Sequence, residues 1–271
     1  MTTLIRGRGR LTDPHDRYAV RGLVKRDQVQ PFAFDRGPIG CALLHGFTAE
    51  PKEMRELGEY LAARDYTVRG VRYAGHGTGP EDLARTTWRD WVASACEAID
   101  ELRGRCDQVW AIGLSLGGLI GLHLAARDQV DGVTAMAPPI LTPDRRMLIA
   151  RFIWRFKPYS HKDLADLHDR DALAQHADYD RFPTRSTAEL YDLIVHVRRD
   201  LKLIRQPLLL IHARQDRVVS IDGADYIWQR VSSIDKERCT LDRGGHIITE
   251  DYDKAVAFAQ IDNFLSKHIH Q

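Results

Sequence analysis

The chain has 271 residues, of which 44% are hydrophobic and 28% charged, with a formal net charge of +1 at pH 7. This length suits one large α/β domain or two small domains with a sizeable core. The near-neutral charge argues against nucleic-acid binding, and no run of 18 apolar residues could form an integral membrane segment. The four cysteines form no C-x-x-C pair, which argues against a zinc site or a disulfide framework. The N-terminus has no apolar segment of a secretory signal, so we expect a cytoplasmic protein.

Residues 1–30 are rich in arginine, aspartate and glycine, and we interpret them as a basic N-terminal extension. Short strands are predicted at 31–34 and 39–44. The second run is apolar throughout, which is typical of a strand covered on both faces of a parallel sheet. Apolar residues in helical phase predict helices from Pro51 to about Arg64 and over 87–102, with a strand over 66–72 between them.

The alternation of strand and helix continues through a strand at 108–112, a helix at 118–126 and a strand at 130–137. This order predicts a doubly wound, mostly parallel α/β sheet. From 140 to about 205 no clear strand is visible, and helices are predicted over about 144–156 and 186–204. We therefore interpret 140–205 as a helical cap inserted into a core formed by 31–139 and 206–271. Strands at 207–212 and 237–241 and helices at 222–231 and 252–267 complete that core.

A serine lies at the turn between the strand at 108–112 and the helix that follows it, within the sequence Gly113-Leu114-Ser115-Leu116-Gly117. In a G-x-S-x-G elbow the nucleophile occupies a strained turn, and the flanking glycines remove side chains that would collide across it. The pattern is short enough to occur by chance as a serine in a glycine-rich turn. A functional reading therefore needs a base, an acid and oxyanion donors elsewhere in the chain.

Three residues of suitable chemistry follow predicted strands, where ligands bind in an open parallel sheet: Ser115, Asp216 and His246. A serine hydroxyl needs a base to take its proton, a histidine can act near neutral pH, and a carboxylate fixes the histidine tautomer. The order Ser, Asp, His is that of an α/β-hydrolase triad. Asp242 is the alternative acid, but it ends the neighbouring strand only four residues before His246, and we predict Asp216.

The oxyanion that develops in such a reaction needs backbone N–H donors. We predict that one is the N–H of Leu116, directly after the nucleophile. The second is assigned to Phe47, in the loop after the strand at 39–44. His45 and His76, which each precede a glycine in a loop, are interpreted as structural hydrogen-bonding residues.

These stretches together resemble the α/β-hydrolase superfamily, and within it the carboxylesterase and monoacylglycerol-lipase-like group. The resemblance covers about 31–268 and departs from the group at the first thirty residues and at Ala49-Glu50, where a glycine is usual. It implies an oxyanion hole at Phe47 and Leu116 and a small helical cap at 140–205. The motifs that carry it are residues 43–48, 73–78, 88–91, 113–118, the Asp216 loop and 244–248.

The resulting hypothesis is a serine carboxylesterase that hydrolyses a small-molecule ester through an acyl-enzyme, with no metal and no cofactor. The alternative is a monoacylglycerol lipase for medium or long acyl chains. Peroxidase-like enzymes and C–C bond hydrolases share the serine triad and stay open, as does a non-catalytic small-molecule receptor. The elbow serine argues against dehalogenases and epoxide hydrolases, which use an aspartate there. The sequence does not determine the natural ester or the oligomeric state.

Acyl-chain preference is expected to depend on an apolar, aromatic stretch of the predicted cap. Phe152 and Trp154 are the candidate residues of an acyl pocket. The same stretch also fits a helix that only buries its apolar face against the core. The whole set is Met147, Leu148, Phe152, Ile153, Trp154 and Phe156.

Overall fold

A computed structural model of the chain describes residues 29–141, 145–161, 164–176, 179 and 181–269. The main-sheet strands are β1 (Phe32–Phe34), β2 (Ile39–Leu44), β3 (Tyr66–Gly70), β4 (Gln108–Leu114), β5 (Gly132–Met136), β8 (Leu208–Ala213) and β9 (Lys236–Leu241). Their order in space is β1-β3-β2-β4-β5-β8-β9. β1 pairs antiparallel with β3, and every other neighbouring pair is parallel. The basic extension predicted over 1–30 lies outside the described residues, apart from its last two.

Helices cover both faces of this sheet, as the alternating pattern predicts. The helices are α1 (Arg55–Ala62), α2 (Pro80–Leu83), α3 (Trp88–Arg103), α4 (Leu116–Ala125), α5 (Arg145–Ile153), α6 (Arg170–Gln175), α7 (Thr184–Asp200), α8 (Asp222–Trp228) and α9 (Lys254–Lys267). Short 3₁₀ helices precede α1 at Pro51–Met54 and follow α7 at Leu201–Leu203. One buried cluster joins the sheet to α3, α4, α7 and α8, and a second joins it to α1 and α9. The apolar run of β2 is buried at every position because both of its faces are covered.

The chain between β5 and β8, here called the β5–β8 segment (residues 137–207), contains α5, α6 and α7. It also contains β6 (Tyr159–His161) and β7 (Arg181–Pro183), which pair antiparallel. The expectation of no strand between 140 and 205 is therefore wrong, because three-residue strands are too short to show an alternating pattern. The six-residue α6 buries none of its residues and has no apolar stripe, so its sequence gives no helical signal either.

Two contacts fix the β5–β8 segment on the core. α7 packs against α3 and α4 of the core, with Leu193 and Ile194 fully buried. Tyr179 reaches the loop after β3, where its hydroxyl accepts the N–H groups of Thr78 and Gly79 at 3.1 and 2.8 Å. These contacts bring the segment to the carboxyl edge of the sheet, where the candidate site lies. That residues 140–205 act as a cap stays a prediction.

Candidate active site

Ser115 lies at the turn between β4 and α4 with φ 54° and ψ −112°, a backbone conformation rare for residues other than glycine. Gly113 and Gly117 lie too close to neighbouring backbone atoms for either position to carry a side chain. A Cβ on Gly113 would lie 2.1 Å from the carbonyl carbon of Gly117, and a Cβ on Gly117 would lie 1.9 Å from the oxygen of Leu44. The turn is anchored by the Ser115 N–H, which donates to the Met136 oxygen at 2.8 Å.

Asp216 and His246 meet at the ends of β8 and β9, where Asp216 Oδ2 lies 2.8 Å from His246 Nδ1. The N–H groups of Val218 and Val219 both donate to Asp216 Oδ1 at 2.8 Å. Burial raises the pKa of Asp216, but hydrogen bonds from His212 and His246 outweigh this effect and hold the pKa well below its usual range. Asp216 is therefore a carboxylate at neutral pH. It orients His246 so that Nδ1 donates and Nε2 is left to accept a proton.

His212 supports the acid in a way that the sequence analysis did not predict. Its Nε2 lies 3.2 Å from Asp216 Oδ2 and 3.2 Å from the Val219 oxygen, and its side chain is 2% exposed. A polar residue inside the buried strand β8 was the available signal, because such residues need a hydrogen-bond partner. Asp242, the alternative acid, instead pairs with Arg214 at 3.0 Å on the surface, and its side chain is 74% exposed.

The loop after β2 holds the predicted oxyanion donor Phe47. The Gly46 N–H donates to Glu53 Oε2 at 2.6 Å, and Thr48 adopts a left-handed backbone with φ 63°. His45 is fully buried, its Nδ1 lies 2.9 Å from the Gly46 oxygen, and burial lowers its pKa to about 4. A neutral, buried His45 fits the structural role expected of it. The buried carboxylate of Glu53 beneath this loop was not predicted.

Leu116, the other predicted donor, begins α4, so its N–H has no acceptor within the helix. Neither this N–H nor that of Phe47 donates to a protein acceptor within the described residues. Both groups are thus available to an oxygen atom of a ligand. The positive end of the α4 dipole lies at the same point and favours developing negative charge.

A cavity of about 360 Å³ lies beside the elbow, the loop after β2 and the loop after β9, with Ser115, Phe47 and His246 in its wall. Most of the remaining wall is apolar and comes from both the core and the β5–β8 segment. The apolar residues are Ala49, Pro139, Leu141, Met147, Leu164, Ala165, Phe182, Leu190, Val218, Val219 and Ile247, and the further polar residues include Thr48, Glu53, Asp166, His176 and Thr187. A mostly apolar wall beside the polar groups of Ser115 and His246 suits a ligand that has both an apolar chain and a polar group.

The predicted acyl-pocket residues Phe152 and Trp154 do not line this cavity. Phe152 is 71% exposed, and Trp154 lies beside the guanidinium groups of Arg155 and Arg185, at 5.1 and 5.9 Å from its ring centroid. Helical phase explains the difference, because Met147 on the same stretch does face the cavity while Phe152 lies on the outer face.

The part of the chain that the structure describes contains no cluster of three or more His, Cys, Asp or Glu side chains able to hold a metal ion. It also contains no helix with the length and apolar character needed to cross a membrane.

Residues 40–253 match the family described as serine aminopeptidase, S33. A thermostable monoacylglycerol lipase of Bacillus sp. (strain H-257) is 34% identical over 241 residues, which span 88% of this chain and 95% of that protein. A carboxylesterase of Bacillus subtilis (strain 168) is 28% identical over 242 residues, 88% of this chain and 96% of that protein.

Solved structures are also similar to this chain. A structure of the metagenome-derived lipolytic enzymes LipS and LipT superposes with a TM-score of 0.85 at 27% identity, covering 89% of this chain and 98% of that one. A monoacylglycerol lipase of Paleococcus ferrophilus superposes with a TM-score of 0.77 at 21% identity, covering 88% and 98%. The predicted α/β-hydrolase fold is confirmed.

Proposed function

Because the chain belongs to the serine aminopeptidase S33 family of α/β hydrolases, we propose that it is a serine carboxylic-ester hydrolase with Ser115, His246 and Asp216 as its triad. The observation that supports this most is the juxtaposition of Ser115 and His246 in one cavity wall, with His246 held by a buried carboxylate at 2.8 Å. Relatives named as a monoacylglycerol lipase and a carboxylesterase support ester hydrolysis over the other reactions that use a serine triad.

In the proposed reaction the Ser115 hydroxyl oxygen attacks the ester carbonyl carbon while His246 Nε2 takes its proton. The N–H groups of Phe47 and Leu116 stabilise the resulting oxyanion. His246 then gives the proton to the leaving alcohol, and the acyl-enzyme forms. Water, activated by the same imidazole, releases the acid. Asp216 keeps its charge throughout and stabilises the imidazolium.

The acyl group of the substrate is proposed to occupy the apolar part of the cavity, between the core and the β5–β8 segment acting as a cap. Met147, Phe182 and Leu190 of that segment line it. This wall favours medium or long acyl chains, so a monoacylglycerol is the second candidate substrate beside simple carboxylic esters. The relative named as a monoacylglycerol lipase supports this candidate.

A comparison of wild type with Ser115→Ala tests the proposal. The substrates are p-nitrophenyl esters of increasing chain length, 1-monoacylglycerols and aminoacyl p-nitroanilides. We expect ester hydrolysis by the wild type and a fall in kcat of about 10⁴- to 10⁶-fold in Ser115→Ala. Ser266→Ala, at an exposed position on α9, is the matched control and should leave kcat unchanged.

Labelling with a fluorophosphonate, mapped by mass spectrometry, gives a second readout. It should modify Ser115 in the wild type. Wild-type activity in Ser115→Ala would refute the assignment of the nucleophile. A folded wild-type protein that is neither labelled nor active would favour a receptor, and a preference for the anilides would favour a peptidase.

A further inference from the structure

The β5–β8 segment reaches the two catalytic loops through a carboxylate that the proposed reaction does not use. Asp166 Oδ2 accepts the N–H of His246 at 3.0 Å and the N–H of Arg217 at 2.8 Å. The Asp166 side chain is only 9% exposed. A single oxygen atom of the segment therefore holds the main chain of His246, the proposed base, and that of Arg217, next to Asp216, the proposed acid.

Further contacts attach the same stretch to the loop that carries His246. The Ile247 N–H donates to the main-chain oxygen of Asp166 at 3.3 Å. Asp251 Oδ2 also links the two, because it accepts the N–H of His168 at 2.9 Å and that of Gly245 at 2.7 Å. The base loop is thus held by both Asp166 and Asp251.

Gly245 allows this close approach. A Cβ at this position would lie 2.6 Å from the Asp166 oxygen and 2.9 Å from its Cγ, closer than real Cβ contacts. A side chain at residue 245 would therefore force the β5–β8 segment and the base loop apart. The contact depends on a glycine in the loop as well as on the carboxylate.

We propose that Asp166 is a positioning residue that couples docking of the β5–β8 segment to alignment of His246 with Asp216. The inference rests on the proposed function. Two hydrogen bonds accepted by one oxygen atom fix the loops of His246 and Arg217 relative to each other. Displacement of the segment removes that acceptor from the N–H groups of His246 and Arg217. His246 then loses its alignment, whereas Asp216 Oδ1 keeps the local N–H groups of Val218 and Val219.

Two substitutions separate an acceptor role from a charge role. Asp166→Asn keeps an oxygen able to accept both N–H groups, whereas Asp166→Ala removes it. We expect Asp166→Ala to lower kcat on p-nitrophenyl butyrate and the rate of fluorophosphonate labelling about 10- to 100-fold, with KM changed less than about threefold, as for a misplaced catalytic group. Asp166→Asn should stay within about threefold of wild type in both rates.

The matched control is Asp169→Ala in the same segment. Asp169 caps α6 by accepting the N–H groups of Asp171 and Ala172 at 3.0 and 3.3 Å. Its removal should lower the melting temperature without slowing labelling per folded active site. Equal slowing in Asp169→Ala and Asp166→Ala would show that stability of the segment, and not the acceptor, matters, and would overturn the proposal.

Amide hydrogen exchange supplies a readout that does not depend on turnover. Asp166→Ala should increase exchange at the amides of residues 217 and 246, and Asp169→Ala should not. Unchanged exchange, wild-type rates in Asp166→Ala, or an Asp166→Asn variant as slow as Asp166→Ala would each overturn the proposal. An inactive, unlabelled wild type overturns the proposed function and this inference together, whereas an active wild type with a fully active Asp166→Ala overturns this inference alone.

Gly245→Ala perturbs the same contact from the base loop and keeps the test usable if Asp166→Ala fails to fold. It should slow labelling and increase exchange at residue 246. The double variant should be less impaired than the product of the two single effects, because both remove one contact. Full additivity, or a normal labelling rate in Gly245→Ala, would contradict the proposed coupling.

Discussion

Asp216→Asn should inactivate the enzyme through a forced change of tautomer at His246. Both oxygens of Asp216 accept hydrogen bonds: Oδ1 from the N–H groups of Val218 and Val219, and Oδ2 from His246, with His212 at 3.2 Å. The two main-chain donors cannot turn away, so the asparagine oxygen takes the Oδ1 position. Its NH₂ group then faces His246 Nδ1, which must become the acceptor. The imidazole proton moves to Nε2, where the proton of Ser115 has to be received.

The expected loss in kcat is about 10⁴-fold, the size associated with the wrong histidine tautomer in a serine triad. The free energy of unfolding should fall by about 1–3 kcal/mol, because the buried NH₂ group would face the ring nitrogens of His246 and His212 where an acceptor oxygen stood. Initial rates on p-nitrophenyl butyrate give kcat and KM, and urea unfolding gives the stability.

Asp242→Asn is the control for Asp216→Asn, because the Asp242 side chain is exposed and pairs only with Arg214 among the ionic partners that the structure describes. It should leave kcat unchanged. Retention of more than a tenth of wild-type kcat by Asp216→Asn, or a large loss in Asp242→Asn, would refute the reasoning about the acid.

Three further outcomes are expected. Gly117→Ala should lower the free energy of unfolding by about 3 kcal/mol or more, because the added Cβ would lie 1.9 Å from the Leu44 oxygen. Gly104→Ala should be tolerated in the same urea titration, because its Cβ would lie 3.5 Å from the Glu101 oxygen. Burial lowers the pKa of His123 to about 4, so between pH 7 and 5 the unfolded chain gains a proton that the native chain does not, and stability falls by roughly 2 kcal/mol. His123→Gln should remove that share of the pH dependence, and an unchanged pH dependence would contradict it. Leu190→Trp should shift the p-nitrophenyl ester profile toward short chains, and Phe152→Ala, exposed on α5, should leave it unchanged; equal shifts would place the acyl group elsewhere.

The strained turn at Ser115 and the contact between Asp216 and His246 could be expected from the sequence, because each depends on local signals. Ser115 follows an apolar strand and lies between two glycines, and Asp216 and His246 each lie in the loop after a later strand, in the order of the proposed triad. Parallel strands bring their carboxyl ends to one edge, so order along the chain is enough to predict proximity. The same reasoning predicts the main sheet and the helices that cover it.

The residues that the sequence analysis missed make contacts that leave no motif. Asp166 and Glu53 accept main-chain N–H groups, which every residue except proline offers, and Asp166 is 80 positions from His246. A carboxylate that pairs with backbone needs no partner side chain, so no second residue type marks the contact. The sequence predicts Phe152 in the pocket, but the side chain is exposed, because composition indicates an apolar helix and not which of its faces is turned inward.

The proposed acid and the proposed base are held by contacts that differ in their separation along the chain. Val218, Val219 and His212 all lie within four residues of Asp216, so the contacts of its carboxylate with them form whenever the end of β8 is folded, and Asp166 reaches only the neighbouring N–H of Arg217. His246 depends in addition on Asp166, whose contact closes a long loop and forms only when the β5–β8 segment is docked. Local opening of that segment has a lower free energy than global unfolding. Destabilising substitutions there should therefore impair the base first, and activity should be lost before the sheet or the Asp216 loop unfolds.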